Sequence, residues 1–101
     1  MPTKHRLRYL PVAQDDLVSI FDYIAQDSPN RALSFVEKLD RRIGLLEQQP
    51  FLGRVPRQPK LREYGYRVLI VGTYLVFYII RGQTIEVHHV VHGSRNLDHL
   101  I

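Results

Sequence analysis

Six side chains that can bind phosphate or transfer protons are concentrated in the last third of this 101-residue chain. They are Arg67, Arg81, His88, His89, His92 and Arg95. A guanidinium can bind two phosphate oxygens at once, and an imidazole exchanges a proton near neutral pH. Such a cluster could cleave RNA if one group accepts the 2′-hydroxyl proton and an arginine stabilises the charged transition state. Whether this region is catalytic is the first question that the sequence poses.

The histidines are spaced for a β-strand rather than for a metal site. On a strand, His88 and His92 would lie roughly 13 Å apart, and His88 and His89 would point to opposite faces. The chain has no cysteine to support a zinc site. We therefore predict no metal and no cofactor. His89 is expected to be a hydrogen-bonded core or edge residue, whereas His92, where the strand ends, can reach a ligand.

The arginines have both a binding and a structural interpretation. Arg81, at a predicted hairpin turn, is more simply a solvated edge residue. Arg67, inside a predicted strand, is a stronger candidate for a directed role, although pairing with Glu86 across the sheet would be structural. The candidates for contact with a phosphate or a target are Arg54, Arg57, Arg62, Arg67, Arg81, His92 and Arg95. If the chain is a ribonuclease, its catalytic candidates are Arg67, His92 and Arg95.

Hydrophobic periodicity predicts the elements that position these side chains. Residues 6–10 alternate as a short strand. Apolar residues at helical spacing over 13–24 predict a first helix, with Asp15 and Asp16 in its first turn, where the helix dipole favours acids. A serine followed by proline at 28–29 then predicts the start of a second helix, which packs against the first as an αα-hairpin.

The second half of the chain is predicted to form the sheet. Residues 50–63 contain three prolines and four bases, which indicates an irregular basic loop. Over 62–97, three runs rich in β-branched and aromatic residues are separated by glycines, a pattern typical of a β-meander. We therefore predict one α+β domain over residues 1–101, in which the helical hairpin packs on one face of a three-stranded antiparallel meander.

Side-chain parity divides the strands between two faces. The face of the last strand expected beneath the helices consists of Ile85, Val87, His89 and Val91. The face expected to point outward consists of Glu86, His88, Val90 and His92. The middle strand, 74–80, is apolar on both sides, so its outer face must also be partly shielded. A concave outer surface with aromatic and basic side chains is the expected result.

The formal charge of +4 is divided unevenly along the chain. Residues 11–49 carry seven acids and four bases, a net charge of −3, so the remainder carries +7. This division predicts an anionic partner on the sheet side, either nucleic acid or an acidic protein segment. Because no signal-like segment or membrane-length apolar run is present, we expect a soluble cytoplasmic protein that does not bind membranes.

Four pieces of the chain, in order, carry a resemblance to a known family. They are AQDDLVSIFDYIAQDSP (13–29), the Pro-x-x-Gly-Arg loop (50–54), YRVLIVGTYLVFY (66–78) and VVHGSRNL (90–97). The ordered set resembles the ParE/RelE superfamily of toxins from type II toxin–antitoxin systems, also called plasmid-stabilisation proteins. The resemblance covers essentially the whole chain and is nearer to ParE than to RelE.

The resemblance implies a toxin that stops growth unless an antitoxin encoded by an adjacent gene neutralises it. ParE-like toxins poison DNA gyrase without a known catalytic site, and RelE-like toxins cleave messenger RNA on the ribosome. Because no tyrosine follows Arg95, and the long hairpin divided at Ser28 looks more like ParE, we expect gyrase as the target. An mRNA endoribonuclease is the alternative. A non-toxic nucleic-acid-binding module is the third interpretation, since the +7 portion alone could bind phosphates.

The antitoxin is expected to lie on the apolar side of the helical hairpin. A domain of this size has a modest core, and an apolar hairpin beside a sheet edge gives a partner segment a place to bind. Binding would also raise the apparent stability by mass action. The residues expected to contact the antitoxin are Leu17, Phe21, Phe35 and Leu39.

Overall fold

The order of elements is the predicted one, a strand, two helices and a strand meander. A computed structural model of the chain describes residues 4–94. Within that range, the elements are β1 (Arg6–Tyr9), α1 (Pro11–Ala25), α2 (Pro29–Gly44), a 3₁₀ turn (Leu45–Glu47), α3 (Pro59–Glu63), β2 (Tyr66–Val71), β3 (Tyr74–Arg81) and β4 (Thr84–His92). None of the helices in this part of the chain is long and apolar enough to cross a membrane.

In the part of the chain that the structure describes, the sheet has four strands rather than the predicted three. Its order is β1-β4-β3-β2, with β1 parallel to β4 and the other two pairs antiparallel. The α+β class and the helical hairpin over one sheet face are confirmed, and the addition of the parallel strand β1 corrects the three-stranded description. Burial and a hydrogen bond from Tyr9 Oη to Asp40 Oδ1 (2.7 Å), which joins β1 to α2, raise the pKa of the Tyr9 phenol.

The two long helices start at prolines. Pro11 is the first residue of α1, two positions earlier than predicted, so Asp15 and Asp16 lie in the second turn and not the first. Proline fits this position because its missing N–H would have no intrahelical acceptor. The predicted start of α2 is confirmed, since the Ser28 hydroxyl accepts a hydrogen bond from the Arg31 N–H (3.2 Å) and Pro29 follows as the first helical residue.

The segment predicted to be an irregular loop contains a short helix that covers the outer face of the sheet. Pro59 begins α3, and Leu61 is 2% exposed. Leu61 packs with Tyr66, Val68 and Phe77 in a second apolar cluster, on the face opposite the long helices. The expected shielding of the outer face is therefore confirmed. Five residues are too few to give a helical period in the sequence, and burial of Leu61 stabilises this helix.

A β-bulge in β4 changes which side chains face the helices. The register shifts between Phe77 and Tyr78 of β3, so that His89 pairs with Phe77 and Val87 pairs with Tyr78, leaving His88 as the extra residue. An extra residue inverts the parity of everything that follows it. The residues of β4 in the core beneath the helices are therefore Ile85, Val87 and Val90.

The predicted faces are thus wrong for the second half of β4. Val91 packs in the outer cluster, although parity placed it beneath the helices. His89, paired with the outward-facing Phe77, shares that outer face. His92 is paired with Tyr74, which packs against the helix-side core, so His92 lies on the helix side instead of the outer side.

Asp16 joins α1 to β4 beyond the end of β1. Because β1 pairs with β4 only over residues 84–87, no strand from residues 4–94 lies beside this edge of β4 after Val87. Asp16 Oδ2 instead accepts a hydrogen bond from the Val90 N–H (2.9 Å). This contact satisfies a partly buried donor next to the bulge.

Replacing Asp16 by alanine is expected to lower the free energy of unfolding by about 1.5 kcal/mol, because the Val90 N–H loses a charged acceptor. Asp15→Ala is the matched control, since Asp15 is the exposed neighbour in the same helix. Urea denaturation of both variants measures the difference. Equal stability of the two variants would show that the Asp16 contact contributes nothing.

Candidate functional site

An open cleft of about 980 Å³ lies between the end of α1, the first part of α2, the turn that joins β2 to β3, and the end of β4. Its aromatic wall consists of Tyr23, Phe35 and Tyr74. Its cationic side chains are Arg31 and Lys38, and His92 also lines it. No acidic side chain lines the cleft within residues 4–94. A partner with apolar side chains and negative charge fits this surface best.

His92 lies at the rim of the cleft, where β4 ends, as predicted. Its Nδ1 accepts the Ser94 backbone N–H (3.2 Å) and lies 2.7 Å from the Ser94 hydroxyl. Its ring packs edge-on against Tyr74 at 5.4 Å between centroids. Since Nδ1 accepts the backbone proton, the ring proton of neutral His92 is assigned to Nε2.

Arg67 holds the loop before it and does not pair with Glu86. Its guanidinium donates to the carbonyl oxygen of Gly53 through Nε (3.1 Å) and Nη2, and to that of Phe51 (3.2 Å). Its central carbon lies 5.2 Å from the centroid of the Phe51 ring. The structural interpretation with Glu86 as partner is therefore wrong, since backbone carbonyls of the 51–53 loop take that place.

The buried Tyr78 side chain also binds the loop that contains Phe51 and Gly53. Its hydroxyl accepts the Gly53 N–H (2.9 Å) and donates to the Pro50 carbonyl oxygen (2.8 Å). Arg54 then forms a bridge with Val68 at the edge of β2, with N–O distances of 2.9 and 2.8 Å. The Pro-x-x-Gly-Arg sequence is therefore a structural clamp: a proline carbonyl, a glycine amide and an arginine backbone are each bound to the sheet.

The catalytic candidates of the ribonuclease alternative are not brought together. Arg67 lies on β2 and pairs with Tyr78 of β3. His92 lies on β4, along the opposite edge of β3, and pairs with Tyr74. Four residues along a strand span roughly 13 Å, and β3 itself lies between the two side chains. Arg95, the third candidate, lies outside the described residues. Arg67 and His92 cannot act together on one phosphodiester in this arrangement.

The outer face carries a polar network that the sequence analysis did not predict. Arg81 Nε donates to Glu86 Oε1 (2.6 Å), and the same oxygen lies 3.2 Å from His88 Nε2. His88 Nδ1 lies 3.1 Å from Tyr66 Oη. Glu86 and His88 are two residues apart on one strand face, and this spacing could have predicted their contact. The sequence analysis instead considered Arg67 as the partner of Glu86. Arg81 is thus an ion-paired residue and not simply a solvated one.

The network makes stability dependent on pH. The hydrogen bond from Arg81 holds the pKa of Glu86 below its ordinary value of 4.5 against the opposing effect of burial, and His88 adds to the lowering. A carboxyl with a lowered folded pKa stabilises the fold above its unfolded pKa and loses that contribution as the pH falls through the folded value.

We therefore expect Glu86→Gln to be less stable than the unmodified protein at about pH 7, and this difference to shrink towards about pH 3. Denaturant unfolding at both pH values measures it. Glu63→Gln, at an exposed position, is the control and should show no such change between the two conditions. A pH-independent effect of Glu86→Gln would contradict the expectation.

The residues expected to contact an antitoxin do not share one environment. Phe35 is half-buried, lines the cleft and packs against Tyr74 at 5.2 Å between ring centroids. Leu17 and Phe21 are half-buried on α1. Leu39 is 0% exposed and belongs to the core, so a partner cannot reach it while the domain has this structure.

The remaining candidates are exposed basic residues near the clamp. Arg54, Arg57 and Arg62 are exposed, and Arg62 Nη1 donates to the Arg57 carbonyl oxygen (3.1 Å). Arg54 and Arg57 also border a groove of about 310 Å³. The structure therefore brings together Arg54, Arg57 and Arg62 on the outer face. It places Arg67, whose partner Tyr78 belongs to the helix-side core, on the other face, and Arg81 and His92 elsewhere.

Comparisons with known proteins bear on the family of this chain. Residues 7–97 match the family model described as the ParE toxin of the type II toxin–antitoxin system parDE. The chain is similar to a solved chromosomal ParDE system from P. aeruginosa, with a TM-score of 0.75 and 22% identity over 90% of this chain and 98% of that one. It is also similar to the RelBE2 toxin–antitoxin complex from Mycobacterium tuberculosis, with a TM-score of 0.62 and 21% identity over 88% and 98%. No curated protein sequence matches significantly.

Proposed function

The chain belongs to the ParE toxin family of type II toxin–antitoxin systems, and we propose that it stops growth by poisoning DNA gyrase in the cytoplasm. A cognate antitoxin, encoded by an adjacent gene, neutralises it. The observation that supports a protein target over RNA cleavage is the separation of Arg67 from His92, because general acid–base catalysis needs its groups within reach of the same substrate. The hydrogen bonds of Arg67 to the 51–53 loop also give this arginine a structural role.

The target is tested with purified protein in a gyrase supercoiling assay, after expression of the chain alone has been shown to arrest growth. The expected result is loss of supercoiling or accumulation of cleaved DNA. Intact supercoiling combined with cleavage of ribosome-bound message would overturn the gyrase proposal and select the mRNA endoribonuclease. Soluble protein that causes no growth arrest would contradict both forms of toxicity and leave the non-toxic nucleic-acid-binding module.

The antitoxin is proposed to occupy the cleft beside α2. Its contacts there include Phe35 and the neighbouring Tyr23 and Tyr74, while Leu17 and Phe21 extend the contact along α1. Aromatic side chains that are exposed before binding and buried afterwards commonly dominate such interfaces. The solved ParDE system supports the existence of an antitoxin, and the cationic rim of the cleft supports an acidic segment as its occupant.

We expect Tyr23→Ala to weaken binding of the antitoxin by roughly 10-fold or more, the usual effect of removing an interface tyrosine. Tyr23 is 70% exposed, so the variant should remain folded. Tyr64→Ala, at a residue that is 60% exposed and outside the cleft lining, is the matched control. Titration calorimetry with the purified antitoxin measures both, and equal affinities would place the antitoxin elsewhere.

A further inference from the structure

Two consecutive large apolar side chains lie on the surface of the loop that Arg67 holds. Phe51 is 70% exposed and Leu52 is 41% exposed. The Arg67 guanidinium lies against the Phe51 ring, with its central carbon 5.2 Å from the ring centroid. We call Phe51, Leu52 and the Arg67 guanidinium the loop tip. An exposed aromatic ring beside an arginine is a combination enriched at protein interfaces.

The loop tip is anchored to the sheet from two directions before any partner binds. Arg67 donates to the carbonyl oxygens of Phe51 (3.2 Å) and Gly53 (3.1 Å). The Tyr78 hydroxyl accepts the Gly53 N–H (2.9 Å) and donates to the Pro50 carbonyl oxygen (2.8 Å). The residues on both sides of the exposed pair are therefore bound to the sheet. A loop that is already ordered loses less conformational entropy when a partner buries it.

Arg67 keeps its charge and part of its capacity to donate hydrogen bonds. None of the ion pairs within residues 4–94 includes this arginine. Its bonds to the loop use Nε and Nη2, and Nη1 has no hydrogen-bond partner in the same part of the chain. Carbonyl oxygens orient a guanidinium but do not cancel its charge as a carboxylate would. Nη1 is therefore available to donate to a carboxylate of another protein.

The loop tip lies apart from the cleft that is proposed for the antitoxin. Neither Phe51 nor Arg67 lines that cleft. Arg67 pairs with Tyr78, whereas the cleft is lined by Tyr74, which is four residues or roughly 13 Å away along β3. Both tyrosines belong to the core beneath the helices, so the two surfaces share a face of the sheet at different positions along the strands. A partner at the loop tip needs none of the residues that line the cleft.

We propose that the loop tip docks on the target protein, with Phe51 and Leu52 in an apolar pocket and Arg67 on a carboxylate at the rim of that pocket. This inference rests on the proposed function, in which the target protein is gyrase. Burial of the two apolar side chains supplies the driving force, and the ion pair fixes the orientation. Leu52 favours a protein over nucleic acid as the partner, because an aliphatic side chain has no ring to stack on a base.

Inhibition of gyrase supercoiling by purified variants tests the docking surface. We expect Phe51→Ala to require at least about 10-fold more protein for half-inhibition, the usual effect of removing an aromatic residue from the centre of an interface. Tyr64→Ala, at another exposed aromatic residue (60%), is the matched control and should inhibit as the unmodified protein does. Both variants should keep the unmodified affinity for the antitoxin in calorimetry, which also verifies that they are folded.

Two substitutions of Leu52 test the charge at the rim of the pocket. Leu52→Glu and Leu52→Lys remove the same apolar side chain and introduce opposite charges. An acidic rim repels glutamate and attracts lysine, so Leu52→Glu should inhibit gyrase several-fold less than Leu52→Lys. Equal inhibition by the two variants would overturn the carboxylate as the partner of Arg67.

Equal inhibition by Phe51→Ala and Tyr64→Ala would overturn the loop tip as the docking surface and leave the gyrase proposal intact. If the unmodified protein arrests growth without inhibiting gyrase, the gyrase proposal fails, and growth arrest then tests the surface. Loss of arrest in Phe51→Ala would support docking of the loop tip on another target, and full arrest would overturn it. An unmodified protein that causes no arrest would overturn both proposals.

Two further results would contradict the loop tip as a separate protein-docking surface. One is loss of antitoxin affinity in Phe51→Ala, which would place this residue in the antitoxin interface or in the stability of the fold. The other is binding of labelled DNA, in the absence of gyrase, that Phe51→Ala weakens as strongly as it weakens gyrase inhibition. That result would assign the ring to nucleic acid.

Discussion

Gly53→Ala is expected to lower the free energy of unfolding by about 3 kcal/mol. A Cβ atom at this position would lie 2.7 Å from the Tyr78 hydroxyl and 2.7 Å from the Val68 carbonyl oxygen. Neither neighbour can move at low cost, since Tyr78 is 0% exposed and bonded to the loop twice, and the Val68 oxygen accepts the Arg54 N–H. The strain is steric, because Gly53 is not among the glycines with positive φ.

Gly44→Ala is the control for this prediction. Gly44 is the last residue of α2, and a Cβ there would meet nothing within 4 Å. Alanine is a better helix former than glycine by about 1 kcal/mol, so this variant should be as stable as the unmodified protein or more stable. Guanidinium denaturation measures both variants. Similar stabilities for Gly53→Ala and Gly44→Ala would show that the Pro-x-x-Gly-Arg clamp tolerates a side chain.

Leu39→Ala is expected to destabilise the domain by about 2–5 kcal/mol, as other buried leucine truncations do. Leu39 is 0% exposed in the core between α2 and the sheet, together with Ile43, Val76 and Tyr78. The truncation leaves a cavity that a core of this modest size can fill only in part. Any loss of antitoxin binding in this variant should therefore accompany loss of folding.

The control is Leu33→Ala, the same chemical change on the same helix at a residue that is 53% exposed. Its effect on unfolding should be small, within about 0.5 kcal/mol. Thermal unfolding monitored by circular dichroism measures both, and antitoxin titration on the folded fraction separates a contact from a core role. A stable Leu39→Ala variant with weakened antitoxin binding would restore Leu39 as a contact residue.

Capping residues and helical periodicity predicted where the helices lie. They did not distinguish the apolar residues buried in the core from those at its margin. Ser28 followed by Pro29 predicted the start of α2 to the residue, because capping needs only the residues at that terminus. The apolar stripe of α2 contained both Phe35 and Leu39, since helical periodicity identifies an apolar face without distinguishing its centre from its margin. Phe35 proved to be at the margin, beside the cleft, and Leu39 in the centre.

The remaining differences arise from relations between distant segments. The extra residue at His88 is defined only against its partners in β3, so parity counted along β4 alone placed Val90 and Val91 on the wrong faces. Likewise, Glu86 was considered as the partner of Arg67 because both lie in the sheet. The acceptors of Arg67 are instead the carbonyl oxygens of Phe51 and Gly53 in a loop. Of the side chains that line the cleft, the sequence analysis therefore predicted Phe35 and His92, whereas Tyr23 and Tyr74 were missed because only the fold brings their segments together.

The pairing of β1 with β4 also affects when the domain can form during synthesis. Leu7 pairs with Ile85, so the first strand finds its partner only after nearly all the described chain has been made. Contacts this distant in sequence form late, because closing the intervening chain costs entropy before it yields any stabilisation. A nascent chain therefore cannot complete its four-stranded sheet until β4 has been synthesised and is free to pair with β1.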